Sequence, residues 1–208
     1  MQRHPGRAVV GAVALACALL GTLVGPVVAE EPRAIVTSSA PYLAPVEDYA
    51  GYQPQTACKR NPKPGVLLLA DVLVARGGGY GPISRSCAGS GTSEHKESRA
   101  FDWLLDADDP VDVALAQAFL DEVLAPDDTG EPHALARRMG IMYIIWNDRM
   151  WASYDGFVEE RYLSSSCRTR RRCSTTLRHR DHMHISLTRR AAKGKTSWYL
   201  AQAPATAG

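Results

Sequence analysis

Four histidines of this 208-residue chain crowd into two short segments. The first runs Ser93-Glu94-His95-Lys96-Glu97-Ser98-Arg99-Ala100-Phe101-Asp102-Trp103, and the second runs His179-Arg180-Asp181-His182-Met183-His184-Ile185-Ser186. Residues two apart in a strand project from the same face, so a strand through the second segment puts His182 and His184 side by side. His95 lies on a loop that leads into an apolar run carrying Asp102. Two imidazoles and one carboxylate around zinc leave the fourth position open, which is how a catalytic zinc site differs from a closed structural one. A zinc ion held there would polarise a carbonyl and bring the pKa of a bound water towards about 7. An imidazole or carboxylate beside it could then take a proton. Spacing alone leaves two readings open, a metal site or histidines with nothing in common.

The elements that would have to position these groups can be read from periodicity. Val66, Leu69, Ala70, Leu73 and Val74 fall on one face of a helix within Gly65–Arg76, which Gly77-Gly78-Gly79 stops. Tyr80–Arg85 reads as a short strand, and the Ser- and Gly-rich stretch 86–99 as a loop. Ala100–Leu105 reads as a buried strand. Val111–Leu124 has helical spacing, and Pro132–Met139 is a short helix closed by Gly140. Ile141–Trp146 is an apolar run of strand length that turns at Asn147-Asp148 and pairs back through Arg149–Tyr154. Residues 155–180 are irregular and basic, and His182–Leu187 is a further strand. These elements make one α+β domain over residues 57–200, with a small antiparallel sheet flanked by helices. The four-proline stretch 30–56 reads as an extended linker or loosely attached arm, and 201–208 as a disordered tail.

Composition narrows the classes. Hydrophobic residues are 45% and charged residues 22%, a globular balance. With 24 basic and 22 acidic residues the formal charge is +2, so nothing in bulk charge points to nucleic acid. Residues 1–7 carry Arg3 and Arg7, residues 8–29 carry no charge, and the stretch ends Val27-Val28-Ala29. This is the pattern of a secretory signal peptide over 1–29, an uncleaved membrane anchor being the competing reading. Cleavage removes Arg3, Arg7 and Cys17, leaving a neutral chain with Cys58, Cys87, Cys167 and Cys173. An even cysteine count in an exported protein suggests two disulfides; of the three pairings, Cys58–Cys87 and Cys167–Cys173 are favoured because each joins sequence neighbours.

The residue types go further than their spacing. Ser93, His95, Ala100 and Asp102, followed by the His182/His184 pair, resemble the motifs of the zinc D-alanyl-D-alanine peptidases, a superfamily that includes lysostaphin-type endopeptidases and hedgehog-type domains. Gly140–Asn147, Asp181–Leu187 and Thr196-Ser197-Trp198 resemble a group of secreted actinobacterial proteins within it. The resemblance implies a hedgehog/D-Ala-D-Ala peptidase-like fold over about 57–199, and zinc held by His95, Asp102 and His184. It implies His182 as general base, with Asp181 in the place where other members carry a carboxylate base. Arg85 matches an arginine that grips substrate, and Ser93 would hydrogen-bond a ligand from outside. The implied function is a secreted or wall-associated, monomeric zinc metallopeptidase that hydrolyses peptidoglycan stem peptides or cross-links, a D-Ala-containing bond being favoured. Ser98 stands where Gly is usual, and Gly often permits a backbone angle that Ser dislikes. That departure, with the lack of a Glu base, motivates the alternative of a non-catalytic wall-binding domain that keeps the fold.

Plainer roles compete at single positions. Asp102 could simply pair with Arg99, His179 reads as a solvated loop residue, and Trp103, Trp146 and Trp151 read as core. The Arg168–Arg172 cluster reads as a solvated loop that could also meet anionic wall polymers.

Overall fold

Strict alternation of residue type along two strands divides the sheet into an apolar face and a chemical face. In β2 (Ala100–Leu104), Phe101 and Trp103 point one way and Asp102 the other; in β6 (Met183–Leu187), Met183, Ile185 and Leu187 oppose His184 and Ser186. The computed structural model describes Tyr42 and residues 44–202, which fall within one compact unit. The segment read as a signal peptide, over 1–29, and residues 203–208 lie outside the described residues.

Six strands form one antiparallel sheet in the order β1-β2-β6-β3-β4-β5. The remaining members are β1 (Gly79–Tyr80), β3 (Ile141–Trp146), β4 (Arg149–Ala152) and β5 (Glu159–Arg161). The apolar face is covered by α1 (Pro64–Val74) and α2 (Pro110–Leu124), with α3 (Ala134–Arg138), α4 (Arg189–Ala192) and α5 (Ser197–Gln202) adding to the same core. Val66, Leu69, Ala70 and Leu73 of α1 are fully buried, the face that the sequence period marks. Phe119 of α2 packs edge-on against Trp103 at 5.9 Å between ring centres. Asp109 caps α2 by accepting from Val111 N at 2.8 Å, and Pro110 needs no partner for a donor it lacks. Trp103, Trp146 and Trp151 all lie in the core.

The structure corrects four expectations. The strand read over Tyr80–Arg85 is only Gly79–Tyr80, because the chain then turns to run behind Asp102. The irregular stretch 155–180 contributes an edge strand, β5, whose charged residues gave no apolar signal. Ala201 and Gln202, read as tail, close α5. The arm is not loose where it is described, although residues 44–56 form no helix or strand. Its Glu47 accepts from Ser197 N and Oγ at 2.7 Å, Ala50 N donates to Ser153 Oγ at 2.8 Å, and Thr56 N donates to Glu97 Oε1 at 3.0 Å.

Glu97 is the buried end of that strap. Burial pushes its carboxyl up, but hydrogen bonds from Arg99 and Thr56 N–H and the charges of Arg99 and Arg189 outweigh it and hold the group at about 2. The folded value lies below the ordinary 4.5, so the stabilisation is complete above pH 4.5 and is lost as pH falls towards about 2. It amounts to on the order of 3 kcal/mol. In urea titrations the gap between wild type and Glu97→Gln should therefore close across that acid window. A gap independent of pH would refute the assignment.

Candidate metal centre

Register brings the centre together. Across the β2–β6 ladder Asp102 sits directly opposite His184, on the face away from the helices. His95, in the short 3-10 turn Glu94–Glu97, reaches over the same point. His95 Nε2 lies 3.1 Å from Asp102 Oδ1 and 3.2 Å from His184 Nδ1, and His184 Nδ1 lies 2.9 Å from Asp102 Oδ1. All three residues are buried and could hold one metal ion.

The donor set fits a metal chemically. Burial alone would raise the Asp102 carboxyl, but hydrogen bonds and charge from His184 and His95 hold it far below the usual carboxylate range. Burial lowers His184, against the pull of Asp102. One anionic oxygen and an imidazole kept unprotonated by burial are the forms that bind a cation. Each ligand ring is also fixed from behind. His95 Nδ1–H donates to Ile83 O at 3.1 Å and His184 Nε2–H donates to Ser186 Oγ at 3.0 Å, leaving Nε2 and Nδ1 respectively to face the centre. The outer hydroxyl expected from Ser93 is thus supplied by Ser186, two residues beyond His184 on the same face. Ser93 serves through its backbone, donating to Gln55 Oε1 at 2.8 Å and accepting from Lys96 N.

His182 stands beside the three. Its Nε2 is 3.7 Å from Asp102 Oδ1, and its Nδ1–H donates to Asp181 Oδ1 at 2.6 Å. Asp181 lies in a bend ahead of β6, so strand alternation does not carry it away; Thr176 Oγ1 donates to its other oxygen. His179, read as solvated, instead puts its ring 4.7 Å from that of His182 and 5.7 Å from that of His184. Burial, reinforced by those two neighbours, brings its pKa to about 3. The missed signal was a turn between His179 and His182, which brings the two rings together at a tilt of 53°.

Tyr143 was also missed. A bulge in β3 between Ile141 and Tyr143 shifts the register by one, turning Tyr143 onto the chemical face. There it stacks on His184 at 5.5 Å and donates to Glu94 Oε2 at 2.6 Å.

The loop bearing His95 is held from both sides. Ser98 adopts φ 48°, ψ 49°, the left-handed region in which glycine is at ease, and its hydroxyl donates to Lys59 O at 3.0 Å. The fully buried Arg99 donates from Nε to Glu97 Oε2 at 2.6 Å, so it anchors this loop and does not pair with Asp102. Behind Asp102, a side chain at Gly81 would meet Asp102 O at 2.1 Å, a contact only glycine permits. Arg85 is exposed, its backbone N–H donating to His95 O at 3.1 Å. The disulfides are Cys58–Cys87 and Cys167–Cys173, the favoured pairing, and such bonds are typical of extracellular proteins.

The family model described as VldE, C-terminal domain, matches residues 58–175. That span includes His95 and Asp102 and ends before Asp181, His182 and His184. No curated protein matches the chain. No solved structure matches it either.

Proposed function

The chain belongs to the VldE C-terminal domain family, and for this member we propose a secreted zinc metallopeptidase that hydrolyses peptidoglycan stem peptides or cross-links, preferring a bond that contains D-Ala. The observation that carries the reading is the convergence of His95 Nε2, Asp102 Oδ1 and His184 Nδ1 beside an imidazole already oriented by a carboxylate. The resemblance to the zinc D-alanyl-D-alanine peptidases and hedgehog-type domains supports the substrate class, and the helix-flanked antiparallel sheet is consistent with that fold.

His95, Asp102 and His184 would hold the ion. Zinc, when bound, supplies Lewis acidity towards a carbonyl oxygen and raises the acidity of water. His182 acts as the base: its Nδ1–H is committed to Asp181, so Nε2 carries the free lone pair and faces the centre. Asp181 orients that ring and stabilises its protonated form, so one residue moves the proton and the other fixes where. Arg85 offers an exposed guanidinium to a substrate carboxylate or developing negative charge, and its own backbone N–H is held on His95 O.

Purified protein loaded with one equivalent of zinc should release D-Ala or shortened peptides from defined muropeptides, read by mass spectrometry. Chelation should stop release and zinc should restore it. No hydrolysis by fully loaded protein, together with retention on sacculi, would replace this reading with the wall-binding alternative.

A further inference from the structure

The arginines of the segment 161–180 differ in what they meet. The segment 161–180 holds seven arginines and no acidic residue, while the rest of 42–202 holds 14 basic and 20 acidic side chains. A chain near neutrality has therefore separated its charge. Two of the seven are committed to the fold: Arg178 forks onto Asp148 at 3.0 and 2.6 Å, and Arg180 pairs with Asp108 and Asn147. Four others sit in the ring closed by Cys167–Cys173, as Cys-Arg-Thr-Arg-Arg-Arg-Cys. Among the described residues none of these four guanidinium groups meets a carboxylate within ion-pair distance or donates a hydrogen bond. Arg168, Arg171 and Arg172 are exposed and Arg170 is half-exposed.

Only Arg170 feels a carboxylate, Asp148, at longer range, and holding four like charges within seven residues costs self-repulsion. The ring holds them in place regardless, through the disulfide and backbone bonds from Arg172 N to Thr169 O and Cys173 N to Arg170 O. We propose that this ring is a docking surface for a linear polymer of polyol or sugar phosphates, recognised through its phosphodiester oxygens. An all-arginine set favours forked oxyanions over single point charges. The ring is exposed and carries its arginines along a loop, not around a concavity, so it suits an extended chain with repeated anions. Nucleic acid is disfavoured because no aromatic side chain interleaves the arginines to stack bases. Closing the ring covalently lowers the ordering cost of binding.

The surface does not depend on the peptidase reading. Its test uses the purified protein and a fluorescent glycerol-phosphate oligomer, followed by anisotropy across a salt series. Arg168→Gln/Arg170→Gln/Arg171→Gln/Arg172→Gln should weaken binding at least ~10-fold and flatten the slope of log K against log salt by roughly 3. Cys167→Ser/Cys173→Ser leaves the charge intact and should weaken binding several-fold. Lys193→Gln/Lys195→Gln, on exposed residues elsewhere, should change nothing. Matching melting curves keep the comparison valid, and Arg171→Gln/Arg172→Gln gives an intermediate loss should the fourfold variant fold poorly. The proposal is overturned if the arginine variants bind like wild type, or if the lysine variant loses as much. Equal or tighter binding to single-stranded DNA, polyglutamate or anionic vesicles of matched charge would overturn it as well.

Discussion

Zinc added to the metal-free protein should raise its melting temperature by roughly 10 °C at a free concentration about 1,000 times Kd. A ligand that binds only the native state stabilises it by roughly 4 kcal/mol at that excess, and a domain of this size melts roughly 2–4 °C higher per kcal/mol. The donors are split between β2, β6 and the Glu94–Glu97 turn, so the unfolded chain offers no comparable site. Asp102→Asn keeps the shape of the side chain and removes the anionic oxygen that both rings share at 2.9 and 3.1 Å. It should abolish the rise, as should His184→Ala. Scanning calorimetry with and without zinc reads all three proteins; a rise of equal size in either variant would place the ion elsewhere.

The second large effect separates the base from its orienting partner. His182→Ala should lower muropeptide turnover by about 10²–10⁴-fold, the usual contribution of a positioned general base. Its zinc-induced rise in melting temperature should persist, because His182 is not among the three converging donors. Asp181→Asn should cost less, about 10–100-fold, as loss of an outer carboxylate partner does. The amide can still occupy the space but no longer stabilises the protonated ring. If Asp181→Asn proves the more damaging change, the proton is taken by Asp181 and the roles reverse.

Much of this centre was legible before the fold was known, for a specific reason. A strand with period two must put His184 and Ser186 on one face and Met183, Ile185 and Leu187 on the other, whatever the strand pairs with. Asp102 between Phe101 and Trp103 follows the same rule. What the pattern could not supply is which strands are neighbours. Ile141–Trp146 is apolar throughout, and nothing local says that it lies between β6 and β4. Nor does the run reveal the bulge that turns Tyr143 to the chemical face, since a register shift belongs to the pair of strands and not to either one. The ring of His179 escaped for a similar reason: a turn, with no apolar period, brings it against His182. Ser98 is the converse case. The resemblance marks its position as one for glycine; the backbone there is left-handed, and the Ser98 hydroxyl takes the Lys59 carbonyl as a compensating partner.

The pairing of β2 with β6 also sets a timetable. Asp102 and His184 are 82 residues apart in the chain, and no hairpin joins their strands. During synthesis β1, β2, β3, β4 and β5 all emerge before the strand that must slot between β2 and β3. Contacts this distant form late, because the loop between them has to be closed first. Until β6 arrives, two apolar strands present open edges to any neighbour. Its insertion then completes the sheet and the candidate donor set in one event, so a nascent chain without β6 offers a metal ion only His95 and Asp102 of the three converging donors.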